Sequence, residues 1–127
     1  MAEHLMLVVS NAKPDREQEF NDWYSGKHVL DVLEKLEGFA TAQRFVLADE
    51  QVEGGCPHRY LALYRIPEGR LAEAQEWIRY QRTERAQAES EGRDPLVDVA
   101  EVFDGPTHSW FFTAITDELT SSRTPRR

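Results

Sequence analysis

Tyr24, His28 and Asp31 follow one another at spacings of four and three residues. On an α-helix, positions i, i+4 and i+7 share a face. The three side chains would form a polar stripe there, with Asn21 close to it. Imidazole is the side chain whose unperturbed pKa lies nearest neutrality, so His28 could take and return a proton at working pH. One turn on, Asp31 could fix the imidazole tautomer and stabilise its charged form. Tyr24 could donate a hydrogen bond to a substrate oxygen, or sit half-buried with its hydroxyl in water. Phe20, Trp23 and Val32 flank the stripe with apolar surface. A titratable stripe beside large aromatics predicts that this helix faces an apolar pocket. The plainer alternative is that His28 solvates an irregular turn, with Trp23 packed in the core.

These residues need elements to hold them. HLMLVVSN, from His4 to Asn11, is rich in branched apolar residues and bounded by a proline turn, which reads as a buried strand. A helix follows from Asp15, as N-cap, to about Leu36. Ser25-Gly26 lies in its middle, and glycine costs about 1 kcal/mol in a helix interior, so a kink is expected just before His28. Gly38 suits the helix stop. Phe39–Asp49 and Arg59–Ile66 alternate and read as two strands of a hairpin joined by the Gly54-Gly55 loop. On the first, Arg44 shares a face with Ala40 and Ala42. The small neighbours leave room for it to reach a carboxylate or a developing oxyanion, or to form an ion pair. On the second, Tyr60 and Tyr64 share a face and could stack on an aromatic ligand or lie in an interface. Arg70 to about Ser90 is the clearest helix, Asp94-Pro95 opens a short segment with proline suited to a first helical turn, and THSWFFTAIT (Thr107–Thr116) is the last strand.

The order β-α-β-β-α-β is the ferredoxin-like split unit, an α+β fold with a four-stranded antiparallel sheet and both helices on one face. Phe45, Tyr60, Tyr64, Trp110, Phe111 and Phe112 supply more apolar area than two helices can cover. A bare sheet face of this kind marks an interface or a ligand site, and Trp110 joins Tyr60 and Tyr64 as a candidate ligand contact. One domain is expected over residues 1–118, with 119–127 as a tail.

Trp23-Tyr24, His28, Asp31, Gly38-Phe39 and Arg44-Phe45, set in this element order, resemble the EthD-like group of the dimeric α+β barrel superfamily. That superfamily includes muconolactone isomerases, polyketide cyclases, antibiotic-biosynthesis monooxygenases and stress-responsive A/B barrels. The resemblance implies a homodimer in which two sheets pack face to face, with an apolar cleft between sheet and helices in each subunit. It also implies cofactor-free acid–base chemistry on hydrophobic, often aromatic molecules, with the family histidine at His28 and the family aromatics at Trp23 and Tyr24.

Composition bounds the alternatives. The chain has 127 residues, an apolar fraction of 40% and a formal net charge of −8. Such acidity argues against nucleic-acid binding, which needs a basic surface. No stretch approaches the roughly 18 consecutive apolar residues of a membrane span. The N-terminal MAEHLMLVVSNAKP lacks the basic region of a signal peptide, and Cys56 is the only cysteine, so a reducing cytoplasm is the expectation. His4 and His108 both begin strands that could be neighbours, but the chain has no HxH, HxxxH or CxxC spacing, so no metal is expected. Cys56 and His58 share a loop, without a third group to make a nucleophilic pair. No dinucleotide fingerprint or phosphate loop is present, so no cofactor is expected.

Two classes of function fit. The first is a cofactor-independent lyase, isomerase, cyclase or dehydratase acting on a hydrophobic, oxygenated, aromatic small molecule. In it His28 moves the proton, Asp31 orients it, and Tyr24 or Arg44 polarises an oxygen, with Asn21, Trp23, Tyr60, Tyr64 and Trp110 contacting the substrate. The second is a non-catalytic dimeric protein that holds a hydrophobic metabolite; a cofactor-free monooxygenase is a further variant of the first.

Overall fold

Side chains on a strand point alternately to its two faces, and that period of two lets four strands build a sheet with one covered and one open face. The computed structural model describes residues 2–123. Strands β1 (His4–Ser10), β2 (Thr41–Val46), β3 (Tyr60–Ile66) and β4 (His108–Thr113) pair antiparallel in the order β2-β3-β1-β4. The register places Met6 beside Tyr64 and Phe111, and Leu7 beside Leu63 and Trp110. A one-residue slip would exchange the two faces, so this register decides what each strand residue can touch.

The expected alternation on β2 and β3 holds. Tyr60, Ala62, Tyr64 and Ile66 are buried under the helices, whereas Leu61, Leu63 and Arg65 face the other way. Of the six aromatics counted as surplus, Tyr60, Tyr64 and Phe111 therefore lie on the helix side. Phe45, Trp110 and Phe112 lie on the open face, exposed by 43%, 50% and 51%. Leu5, Leu7, Leu61 and Leu63 share that face through the strand register.

The first helical region departs from a plain helix. A 3-10 turn at Pro14–Arg16 leads into α1 (Glu17–Trp23), then a π-helical turn at Tyr24–His28, then α2 (Val29–Lys35). Asp15 lies inside the 3-10 turn and makes no side-chain cap; Pro14 begins that turn instead. The kink expected at Ser25-Gly26 is thus one wide turn, and π-turns often sit at functional sites. The long α3 (Leu71–Glu91) buries Ala74, Ile78, Glu84 and Ala88 and ends at Gly92, whose left-handed φ of 69° lets the chain reverse.

The segment after α3 is not helical, contrary to the reading of Asp94-Pro95. It runs as an irregular strap and still buries Val97 and Val102. Its backbone is satisfied by side chains from elsewhere. Glu84 accepts from the Leu96 amide at 2.8 Å, Asp31 accepts from the Asp98 amide at 3.1 Å, and Lys35 donates to the Leu96 carbonyl at 3.1 Å. Irregular chain can lie over a core only where such bonds are made.

Candidate functional site

The π-turn aims His28. A π-helix brings residue i near i+5, and the His28 ring stacks on Trp23, five residues earlier, with centroids 4.8 Å apart. Tyr24 meets the same imidazole edge-on at 5.0 Å. Behind them lies an aromatic cluster in which fully buried Phe20 contacts Tyr24, Tyr60 and Phe103 at 5.4, 4.9 and 5.4 Å. Aromatic pairs at such separations contribute about 0.5–1.5 kcal/mol each beyond simple burial, so Trp23, Tyr24 and His28 sit on a rigid base.

Trp23, Tyr24, His28 and Tyr64 line one cavity of about 290 Å³ between the helices and the sheet. That is just below the range of ligand pockets, which run about 300–1,000 Å³. Met6, Val8, Val32, Leu36 and Ile78 make its inner wall apolar. The strap after α3 supplies another wall through Asp98, Val99, Ala100 and Phe103, and α3 supplies Gln81, Arg82 and Arg85.

Burial pushes the His28 imidazole below its ordinary value of 6.5. The Asp98 main chain and the Asp31 charge oppose that shift, and Arg85 adds to it. His28 therefore rests neutral at neutral pH, the form a general base needs. Its Nδ1 is buried without a hydrogen-bond partner among the described residues. Buried polar atoms are seldom left so, which marks the imidazole as a group whose setting is not purely structural. Tyr24 is pushed by burial up to about 12, with Arg44 and the Tyr64 hydroxyl pulling the other way. It therefore stays protonated and can donate. Burial raises Tyr64 further still.

A stability consequence follows from the His28 shift. The unfolded imidazole titrates near 6.5 and the folded one lower, so below about pH 6.5 the unfolded chain binds the extra proton first. The stability contributed by a neutral His28 is complete above that pH and is lost as pH falls towards the folded value. Chemical denaturation should show wild type losing more stability than His28→Gln over this range. Parallel curves for the two proteins would contradict it.

Asp31 does not meet the imidazole as the helical spacing implied. It is 5% exposed and its carboxylate faces Lys27 at 3.4 Å, Lys35 at 3.5 Å and the Asp98 amide. Burial raises its carboxyl, but the Asp98 amide and the two lysines outweigh that and hold it below the usual range. The π-turn explains the change, because its extra residue rotates everything after it by about 100°. Asp31 anchors the strap, and the strap brings Asp98 to the cavity. Asp98 in turn accepts from Trp23 Nε1 at 2.8 Å and fixes the indole on which His28 stacks.

Asn21, Arg44 and Tyr60 gather in a second, open cleft on the far side of Tyr24. The Arg44 guanidinium lies 4.4 Å from the Tyr24 ring centroid and donates to Ser25 Oγ at 2.8 Å and Asn21 Oδ1 at 3.0 Å. Arg44 forms no ion pair among the described residues; its guanidinium rests on aromatic faces and neutral oxygens. Tyr60 accepts from Asn21 at 3.2 Å and donates to Glu17. Trp110 belongs to neither cleft. It points to the open face of the sheet and stacks on His108 at 6.0 Å. His4 and His108 sit at opposite ends of the β1–β4 pair, His4 opposite Thr113 and His108 opposite Val9, so the two are not brought together. Cys56 Sγ contacts the His58 carbonyl, not its ring.

Sequence reasoning missed the strap and the cavity face of α3, and with them Asp98, Arg82 and Arg85. Apolar residues at 96, 97, 99, 100, 102 and 103 were a signal for a buried segment, but without helical or strand period they did not say where it lies.

No family model matches the chain, and no curated protein matches it. Among solved structures it is similar to the NE2512 protein of unknown function from Nitrosomonas europaea, with a TM-score of 0.56 over 96% of this chain and 98% of that one. At 14% identity that likeness shows a shared fold. No helix among the described residues is long and apolar enough to cross a membrane.

Proposed function

We propose that this protein is a cofactor-independent acid–base enzyme of the EthD-like, dimeric α+β barrel kind, acting on a small hydrophobic, oxygenated molecule held beside His28. The observation that carries the reading is a His28 imidazole, held neutral by burial and with its Nδ1 unpartnered among the described residues, in the lining of a cavity whose floor is apolar. His28 takes a proton from carbon or oxygen of the substrate and returns it, which suits lyase, isomerase, cyclase or dehydratase chemistry. The Tyr24 hydroxyl, protonated and buried, stabilises the oxygen on which charge develops. Apolar walls exclude water and strengthen both interactions. Asp31 acts through the strap as a positioning residue. The experiment is a screen of oxygenated aromatic and polyketide-like compounds for turnover, repeated with His28→Gln. Compounds that bind beside His28 without being changed would favour the second reading, a binding protein for a hydrophobic metabolite.

The dimer belongs to the same proposal. Phe45, Trp110 and Phe112 join Leu7 and Leu63 in a contiguous apolar face that no helix covers. A stable interface buries about 1,600 Å² in total, and two such faces in contact would supply it. Light scattering should give a dimer mass at micromolar concentration, and Phe112→Glu should shift it to monomer. A monomeric wild type would end this part of the proposal.

A further inference from the structure

We propose that the molecule held beside His28 carries an anionic group, a carboxylate, which Arg82 and Arg85 at the cavity mouth receive. The inference rests on the reading of the His28 cavity as a ligand site and adds the chemical class of its ligand.

The cavity has a floor and a mouth. Met6, Tyr24, Val32, Leu36, Tyr64 and Ile78 are buried and form the floor. Arg82, Arg85, Gly105 and Thr107 also line it and are exposed, so they mark the opening. Arg82 and Arg85 are three residues apart on α3, a spacing that puts both side chains on one face of the helix.

Charge is unevenly distributed around them. The chain carries 23 acidic against 15 basic residues, and among the described residues Arg16, Arg59, Arg70, Arg79 and Arg93 each pair with a carboxylate. Arg79, one turn before Arg82 on the same helix, pairs with Glu76, and Arg93 pairs with Glu84 and Glu91. Neither Arg82 nor Arg85 has a carboxylate within 4.0 Å among the described residues. In so acidic a protein, two adjacent unpaired guanidinium groups at a cavity mouth are left for a ligand. One carboxylate, Asp98, lies in the lining, and it is occupied by Trp23 Nε1. Arg82 is already held towards β4 by its bond to Ser109 Oγ at 3.1 Å, and Ser109 lines the same cavity. A guanidinium binds a carboxylate through two parallel N–H donors, a geometry that lysine does not offer.

The arrangement also polarises the site. The mouth is cationic and the floor apolar, so a molecule with a ring and a carboxylate has one orientation, ring inward against Tyr24 and His28. That placement sets the reacting carbon beside the imidazole and leaves the acid at the rim.

The test uses two isosteric probes, 2-naphthoate and 2-naphthamide, with binding followed through the ring resonances of His28. Naphthoate should bind about tenfold more tightly than the amide at low salt, the factor that one charge-assisted hydrogen bond supplies. The preference should shrink as salt screens the rim. It should vanish in the double variant Arg82→Gln/Arg85→Gln and persist in Arg79→Gln, which removes the same kind of charge from α3 away from the cavity. Both α3 variants keep a good helix former at exposed positions, and the amide's unchanged affinity reports an intact cavity. Equal binding of both probes to wild type, or a preference that survives the double variant, would overturn the anion inference and leave the cavity reading standing. If neither probe moves the His28 resonances, the inference and the cavity reading fall together.

Discussion

His28→Gln is expected to lower turnover by about 10²–10⁴-fold, the share that a positioned general base contributes to a rate. Glutamine keeps a polar side chain at a half-buried site, so Trp23 and Tyr24 retain a neighbour and the fold should persist. What is lost is the one group at the cavity wall that can cycle a proton near neutral pH. The pH profile separates this role from a structural one. Wild-type kcat/KM should fall on the acid side through a single group titrating below 6.5, because burial lowers the imidazole, and that limb should be gone in the variant. Tyr24→Phe should cost less, since it removes a stabilising donor and leaves the base in place. Asp31→Asn should act indirectly: it weakens the hold of Lys27, Lys35 and the Asp98 amide on the strap, so its loss should grow with temperature as the strap loosens. Unchanged turnover in a folded His28→Gln protein would remove His28 from the mechanism, and the binding reading would move ahead.

Different levels of the structure were legible in the sequence to different depths. Alternation in LALYRI (Leu61–Ile66) placed Tyr60 and Tyr64 on one face and Leu61 and Leu63 on the other, because a strand has period 2 and no other regular choice. Tyr24 and His28 were readable as partners for a similar reason, since both a helical and a π-helical turn keep them adjacent. Asp31 was not. Its position depends on one extra residue in the turn between Tyr24 and His28, and a single-residue change of phase leaves no trace in composition. Arg44 was placed on one face with Ala40 and Ala42, but that this face meets the helices, and which side of Tyr24 the guanidinium occupies, is settled by the packing of Phe20, Tyr24 and Tyr60 around it. The strap from 93 to 107 lay furthest from reach. Its course is fixed by long-range bonds to Asp31, Lys35, Glu84 and Asn11, none of which a local pattern encodes.

Two glycine-to-alanine substitutions should change stability in opposite directions. Gly38 ends the first helical region with φ 101°, where side chains are rarely tolerated, and it packs against the first turn of α3. A Cβ added there would stand 2.8 Å from the Ala74 amide nitrogen and 2.9 Å from its Cα and Cβ. Those atoms are backbone or a stub of side chain in a fully buried residue, so nothing can swing aside. Strain at the left-handed position costs about 1–3 kcal/mol and overpacking about the same again. Gly38→Ala should therefore lose about 2–6 kcal/mol, a large part of the 5–15 kcal/mol that holds a domain of this kind together, and lower Tm by on the order of 10 °C or more. Gly26, in the exposed π-turn, has no atom within 4 Å of an added Cβ and no positive φ. Gly26→Ala removes backbone freedom from the unfolded chain without a clash and should gain about 0.5–1 kcal/mol. Thermal unfolding of the two variants beside wild type reads both signs at once. A Gly38→Ala protein that melts with wild type would mean that α2 and α3 can part at this contact. The cavity, whose walls they share through Leu36 and Ile78, would then be softer than its packing implies.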